Sequence, residues 1–286
     1  MRRIKHILEY LILIIILTTS NPFSWQTLPY IGRLFGTIVY LIIRMRRRVA
    51  IENIKLALNL GENKARKIAL SSFISIATTI FEITHLGLKY HKDPSKLIKF
   101  SRFDVFERAK NNRNGAILLS AHYGNWEIMA SVIAKSGYNA RAIVKRQANP
   151  YVENLFVRLR KRYGIRVLYM ENSAREIIRL LKKNEFVAVL ADQYAGESGI
   201  MAEFFGRKAS TWGQIGRIAQ IANSPIITGL DMRLVNNKHF AVIDDLWYIK
   251  SKDNAERNFA EEYNRRLEHL IKFYPQQYLW MHRRWK

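Results

Sequence analysis

From residue 113 onward, short apolar runs alternate with longer segments of helical periodicity, and this constrains the fold more than any other feature. The runs at 115–121, 139–144, 165–169, 186–191, 225–230 and 239–244 predict strands. The segments 125–136, 151–163, 173–183, 213–222 and 255–273 predict helices. Strands separated by helices pair in parallel and carry the helices on their faces. The expected fold is therefore α/β, a mostly parallel mixed sheet flanked by helices, over residues 113–286.

Before residue 113 no strand pattern appears. The chain begins Met-Arg-Arg-Ile-Lys and is then apolar from Ile7 to Leu17, with Glu9 as the one charge. That run is shorter than the roughly 20 residues a spanning helix needs. The sequence Thr18-Thr19-Ser20-Asn21-Pro22 is a poor signal-peptidase site. The expectation is a retained anchor, tilted or partly inserted. A second apolar stretch, Leu28 to Ile43, contains Arg33 and runs into Arg44, Arg46, Arg47 and Arg48. With Trp25, Tyr30 and Tyr40 nearby, it is expected to lie at a bilayer interface with its arginines on anionic headgroups. Residues 1–46 are thus read as a membrane anchor and interfacial helix, and 47–112 as helices packing on the α/β part. Glu82, within the apolar Ile80–Ile83 stretch, is read as a satisfied or snorkelling helix carboxylate ahead of one facing a substrate headgroup.

Charge narrows the partners. Lys and Arg total 47 against 23 Asp and Glu, a net charge of +24, which calls for a polyanionic partner. Nucleic acid is disfavoured, because no helix-turn-helix or RNA-binding strand motif is present and the apolar amino terminus would go unused. No glycine-rich phosphate loop is present, and His122 lacks the second histidine of a zinc helix, so neither a nucleotide nor a metal cofactor is expected. The chain has no Cys, which excludes disulfides and a cysteine nucleophile.

The motif that carries chemistry is Ala121-His122-Tyr123-Gly124-Asn125-Trp126-Glu127, placed where a buried strand gives way to a helix. Ligands of open α/β sheets bind at the carboxyl ends of strands. A neutral imidazole there takes a proton from a hydroxyl, and a carboxylate on its other nitrogen fixes the tautomer and stabilises the imidazolium. Glu127, in or near the first helical turn, is one candidate partner, and Asp192, at the end of the strand 186–191, is another. No Gly-x-Ser-x-Gly elbow exists, so the nucleophile is expected to be a substrate hydroxyl. Lys145 and Arg146 follow the second predicted strand, 139–144, suited to a phosphate or a polarised carbonyl, ahead of a helix begun by Pro150. Residues 201–211 mix Phe204 and Phe205 with Arg207, Lys208, Ser210 and Thr211. They suit either the wall of an acyl-chain site or a loop folded over the core.

His122-x4-Glu127 and the ending Trp280-Met281-His282-Arg283-Arg284-Trp285 resemble the bacterial lipid A late acyltransferases, the lauroyl and myristoyl transferases within the wider lysophospholipid and glycerolipid acyltransferase superfamily. The likeness runs in order along nearly the whole chain. It takes in Arg48–Asn53, Arg146 with Asn149-Pro150, Arg160 with Gly164, Asp192, and Phe204-Phe205-Gly206 with Thr211. The resemblance implies transfer of an acyl group from an acyl carrier protein thioester, or acyl-coenzyme A, to a hydroxyl of a phosphorylated lipid A precursor. It places that reaction at the cytoplasmic face of the bacterial inner membrane, without cofactor. Residue by residue it makes His122 the general base and Glu127 its partner, Arg146 or Arg160 the charge stabiliser, and Asp192 an acidic position of open role. The alternative is a lysophospholipid or other glycolipid acyltransferase of the same superfamily. A non-enzymatic basic protein binding membrane or nucleic acid is the outside option.

Overall fold

The computed structural model describes residues 2–171, 173–250 and 253–286. The amino-terminal segment was read from residue 1, which lies outside that range. Helices α1 (Arg2–Ser20), α2 (Leu28–Ile42), α3 (Arg44–Leu58) and α4 (Glu62–His85) come first. Helix α4 runs on into one wide turn, Leu86–Tyr90. Helices α2 and α4 pack closely: a Cβ added at Gly36 would lie 2.5 Å from the Ile74 Cα, so only a glycine lets the backbones meet. The chain bends by 98° between the apolar helix α2 and the arginine-rich start of α3. Among the described residues, one helix, Glu62–Tyr90, is long and apolar enough to cross a bilayer, but 61% of its apolar window is buried inside the protein, as in a core helix.

The α/β part then runs β1 (Ile98–Phe100), α5 (Asp104–Asn111), β2 (Ala116–Ser120), α6 (Trp126–Lys135), β3 (Arg141–Val144) and α7 (Pro150–Arg162). It continues with β4 (Arg166–Tyr169), α8 (Ser173–Lys182), β5 (Phe186–Leu190), β6 (Ile200–Phe204) and β7 (Arg207–Thr211). Helix α9 (Gln214–Ala222), β8 (Ile226–Arg233), β9 (His239–Ile243) and α10 (Ala255–Phe273) complete it. Strands β1-β9-β8-β2-β5-β3-β4, in that order, make a seven-stranded sheet in which every pairing but β8–β9 is parallel. The connection from β8 to β9 is too short for a crossover, so those two strands must run antiparallel. The mostly parallel mixed sheet expected from the sequence is present, with helices on both faces.

The central strand β2 is buried throughout, and its alternation feeds two cores. Ile117 and Leu119 face one that includes Ile54 of α3, Leu180 of α8, and Phe259 and Leu267 of α10. Ala116 and Leu118 face the other, which includes Val105 of α5, Ile128 and Val132 of α6, and Phe81 of α4. The amino-terminal helices thus contribute to both cores.

Strand β1 and helix α5 carry no periodic signal long enough to announce themselves. The segment 201–211 is a two-stranded hairpin turned by Phe205 and Gly206, with φ of 53° and 70°. Phe204 and Phe205 are buried, with Phe204 stacked on Trp285 at 5.5 Å between ring centroids. Of the two readings of this segment, the structure gives the one folded over the core.

Candidate active site

Strands β2 and β5 pair with Ser120 opposite Leu190, so parallel register carries His122 and Asp192, each two residues further on, to the same level. Asp192 is buried and holds His122 twice. Its Oδ1 accepts from the imidazole Nδ1 at 2.9 Å, and its Oδ2 accepts from the His122 backbone N–H at 3.1 Å. The His122 side chain is 23% exposed, so the ring is reachable. Its Nε2 has no hydrogen-bond partner among the described residues. A carboxylate accepting from Nδ1–H leaves the Nε2 lone pair free, the tautomer a general base requires. Burial pushes the Asp192 carboxyl up, but the His122 charge and hydrogen bonds outweigh it, and the net shift is downward. The Trp126 ring packs edge-on against the imidazole at 4.9 Å.

The carboxylate on His122 is therefore Asp192, one of the two candidates the sequence offered, and not Glu127, to which the family resemblance gave that role. Asn125 caps α6 by accepting from the Glu127 and Ile128 N–H groups, which fixes Glu127 in the first turn. From there Glu127 is bound by α7: Arg160 Nε donates to both carboxylate oxygens at 3.0 and 3.2 Å, and the Tyr163 hydroxyl donates at 2.8 Å. Burial raises the Glu127 carboxyl, while the Arg160 charge and these hydrogen bonds lower it further, so it is held ionised. Arg160 is thus saturated on its Nε side by Glu127. Arg146, past the end of β3, is exposed, with its guanidinium 3.7 Å from the centre of the Tyr169 ring. Of the five residues singled out from sequence, His122 and Asp192 form one bonded pair and Glu127 and Arg160 another, while Arg146 bonds to neither.

A further buried cluster holds the turn that follows His122. Extending the β2–β8 register brings Asp231 to the level of His122 on its other side. Asp231 Oδ2 accepts from the Asn125 backbone N–H at 2.7 Å and from His239 Nδ1 at 2.7 Å. The Asn125 amide donates to Glu82 at 3.0 Å, and Arg233 clamps Glu82 through Nε and Nη2, each at 2.7 Å. Glu82 is thus a satisfied helix carboxylate. Asp231, Arg233 and His239 were missed because nothing local marks them; only the sheet register brings them together. Burial pushes the His239 imidazole down, but Asp231 and Glu82 raise it to about 9, above its ordinary value of 6.5. The stability it supplies is therefore complete below pH 6.5 and is lost as pH rises through about 9. We expect thermal midpoints to fall across that alkaline range, and the fall to flatten in His239→Gln.

Gly124 has φ of 54°, and a Cβ there would lie 1.9 Å from the Asp231 carbonyl oxygen. Strain and overlap with backbone act together, so Gly124→Ala is expected to cost about 1–3 kcal/mol or more, read as a lowered thermal midpoint.

A profile of the family described as "Bacterial lipid A biosynthesis acyltransferase" matches residues 2–286. Among curated relatives, "Lipid A biosynthesis acyltransferase 2" of Shigella flexneri is 26% identical over 266 residues, covering 91% of this chain and 82% of that protein. "Lipid A biosynthesis myristoyltransferase" of Escherichia coli K12 is 22% identical over 271 residues, covering 92% and 81%. The "Lipid A biosynthesis palmitoleoyltransferase" of the same strain is 24% identical over 276 residues, covering 92% and 87%. With a match that spans all but the first residue, the chain belongs to the bacterial lipid A biosynthesis acyltransferase family and is an acyltransferase.

Proposed function

We propose that the protein moves a fatty acyl chain from an acyl carrier protein thioester to a hydroxyl of a phosphorylated lipid A precursor, with His122 as general base. The observation that carries this reading is the reachable imidazole whose Nδ1 is held by buried Asp192. His122 Nε2 takes the proton of the acceptor hydroxyl as its oxygen attacks the thioester carbonyl carbon. The tetrahedral intermediate collapses with cleavage of the C–S bond. The imidazolium returns its proton to the departing sulfur, so the products are an ester and a free thiol. Asp192 stabilises the imidazolium throughout. Arg146, exposed and stacked on Tyr169, is our candidate for the anionic headgroup. The Glu127–Arg160 pair ties the first turn of α6 to α7.

The same reading places the protein at a membrane, on the cytoplasmic face of the inner membrane. Helix α1 leaves Leu8, Leu11, Ile12 and Ile15 exposed, and α2 leaves Leu34, Leu41 and Ile42 exposed. Apolar residues exposed in such numbers beside Arg44, Arg46, Arg47 and Arg48 suit an anionic bilayer surface.

The test is an assay of the membrane-embedded protein with acyl carrier protein thioesters of several chain lengths, the matching coenzyme A esters, and two acceptors. A mass gain of one acyl chain on a tetra-acylated lipid A precursor, with the carrier-protein donor, supports the proposal. Acylation of a lysophospholipid alone would move the assignment to the alternative, and no transfer to either would overturn it.

A further inference from the structure

The last ten residues lie across the ends of β2 and β5 and touch both halves of the His122–Asp192 pair. Leu279 donates its N–H to the His122 carbonyl at 3.0 Å, Gly124 donates to the Gln277 carbonyl at 3.2 Å, and Tyr123 and Tyr278 form an antiparallel bridge. On the other side, the Tyr194 N–H, two residues past Asp192, donates to His282 Nε2 at 3.0 Å. Burial holds His282 at about 4, so its imidazole is neutral and able to accept that bond. The tail is anchored beyond the site as well. Arg284 donates to Thr211 Oγ1 at 2.8 Å, and the Trp285 indole donates to the Phe204 carbonyl at 3.1 Å.

Among the side chains of the amino-terminal helices that reach this arrangement, Asn53 makes two bonds at its centre. Asn53 of α3 is buried, and its Nδ2 donates both hydrogens, one to the Trp280 carbonyl and one to the His282 carbonyl, each at 2.8 Å. Those carbonyls flank Met281, between the Leu279 N–H that holds His122 and the His282 ring that holds the loop of Asp192. An amide nitrogen carries two hydrogens in a fixed plane, whereas a hydroxyl carries one and a carboxylate none. The Arg46 guanidinium also donates to the intervening Met281 carbonyl, at 3.3 Å.

We infer that Asn53 is a positioning residue for acyl transfer: by clamping the Trp280 and His282 carbonyls it sets the tail, and the tail sets His122 against Asp192. The inference rests on the general-base reading of His122. Without the clamp the buried Trp280 carbonyl loses its amide donor, the His282 carbonyl keeps only the Arg284 backbone N–H at 2.9 Å, the tail shifts, and the imidazole leaves its line of attack. Misplacement on the order of 1 Å costs about 10²-fold in rate.

The experiment compares Asn53→Ala, Asn53→Asp, His122→Ala and Ile54→Ala in the full-length membrane-embedded protein. Ile54 is buried on the same helix, in the core that also holds Tyr278 and Trp280, and makes no side-chain hydrogen bond to the tail, so it reports what lost packing there does by itself. Asn53→Ala is expected to lower kcat about 10- to 100-fold with KM little changed, and Asn53→Asp to be worse, because a carboxylate repels both carbonyls. Ile54→Ala is expected to lower the thermal midpoint while keeping kcat in the folded range. Hydrogen exchange gives a readout independent of activity: in Asn53→Ala, protection should fall together over 122–126 and 277–286 and persist over 186–190. An unchanged kcat in a folded Asn53→Ala protein, or protection lost evenly along the chain, overturns the inference. Retained activity in His122→Ala would instead overturn the reading beneath it.

Discussion

Replacing His122 with alanine is expected to lower kcat by about 10²–10⁴-fold, the contribution a positioned general base commonly makes. The fold should be unaffected, since the ring is partly exposed and its one side-chain bond is to Asp192. Asp192→Asn is expected to approach the same loss by another route. An amide at that position can present its N–H₂ to Nδ1, which would move the ring proton to Nε2 and abolish the acceptor. The two changes act through one imidazole, so the double variant should be little worse than either single one. Steady-state kinetics of the three proteins, with circular dichroism to confirm folding, checks both statements.

The second large effect is on stability, at the pair the sequence reading treated as part of the chemistry. The Glu127 and Arg160 side chains are 5% and 18% exposed, so Arg160→Ala strands an ionised carboxylate left with only the neutral donors Tyr163 and Trp126. Breaking such a buried pair costs about 3–5 kcal/mol, a large share of a domain's stability. Replacing both partners with apolar residues of similar size removes two desolvation penalties at once and should restore most of the loss. The double variant Glu127→Met with Arg160→Leu is therefore expected to melt near the parent protein. Its kcat separates the roles: activity recovered along with stability makes the pair a scaffold, whereas activity still lost assigns it to the reaction.

How far the sequence revealed this site depends on the range of the interaction. His122 was legible because everything that places it is local: the apolar run 116–120 ahead of it and the Asn125 cap behind it. Its partner was legible only as one of two candidates, because Glu127, five residues along a strand–turn–helix connection, swings onto the next helix, while Asp192, 70 residues away, arrives beside it through parallel pairing. Asp192 stood out as polar at a strand end, but periodicity alone does not say that β2 and β5 are neighbours. The same limit hid Asp231, Arg233 and His239, whose work is to neutralise one another beneath the turn. Phe204 and Phe205 were ambiguous because their burial is supplied by the carboxy-terminal tail, including Trp280 and Trp285. Asn53 lay within a stretch that resembled the family, yet only the folded tail gives its two hydrogens a destination.

The pH dependence of kcat/KM tests the central claim most directly. A general base acts only in its unprotonated form. Wild-type kcat/KM is predicted to rise with unit slope from the acid side to a plateau, and the residual activity of His122→Ala to lack that limb. The same acid limb persisting in His122→Ala would contradict the assignment of the imidazole as the base.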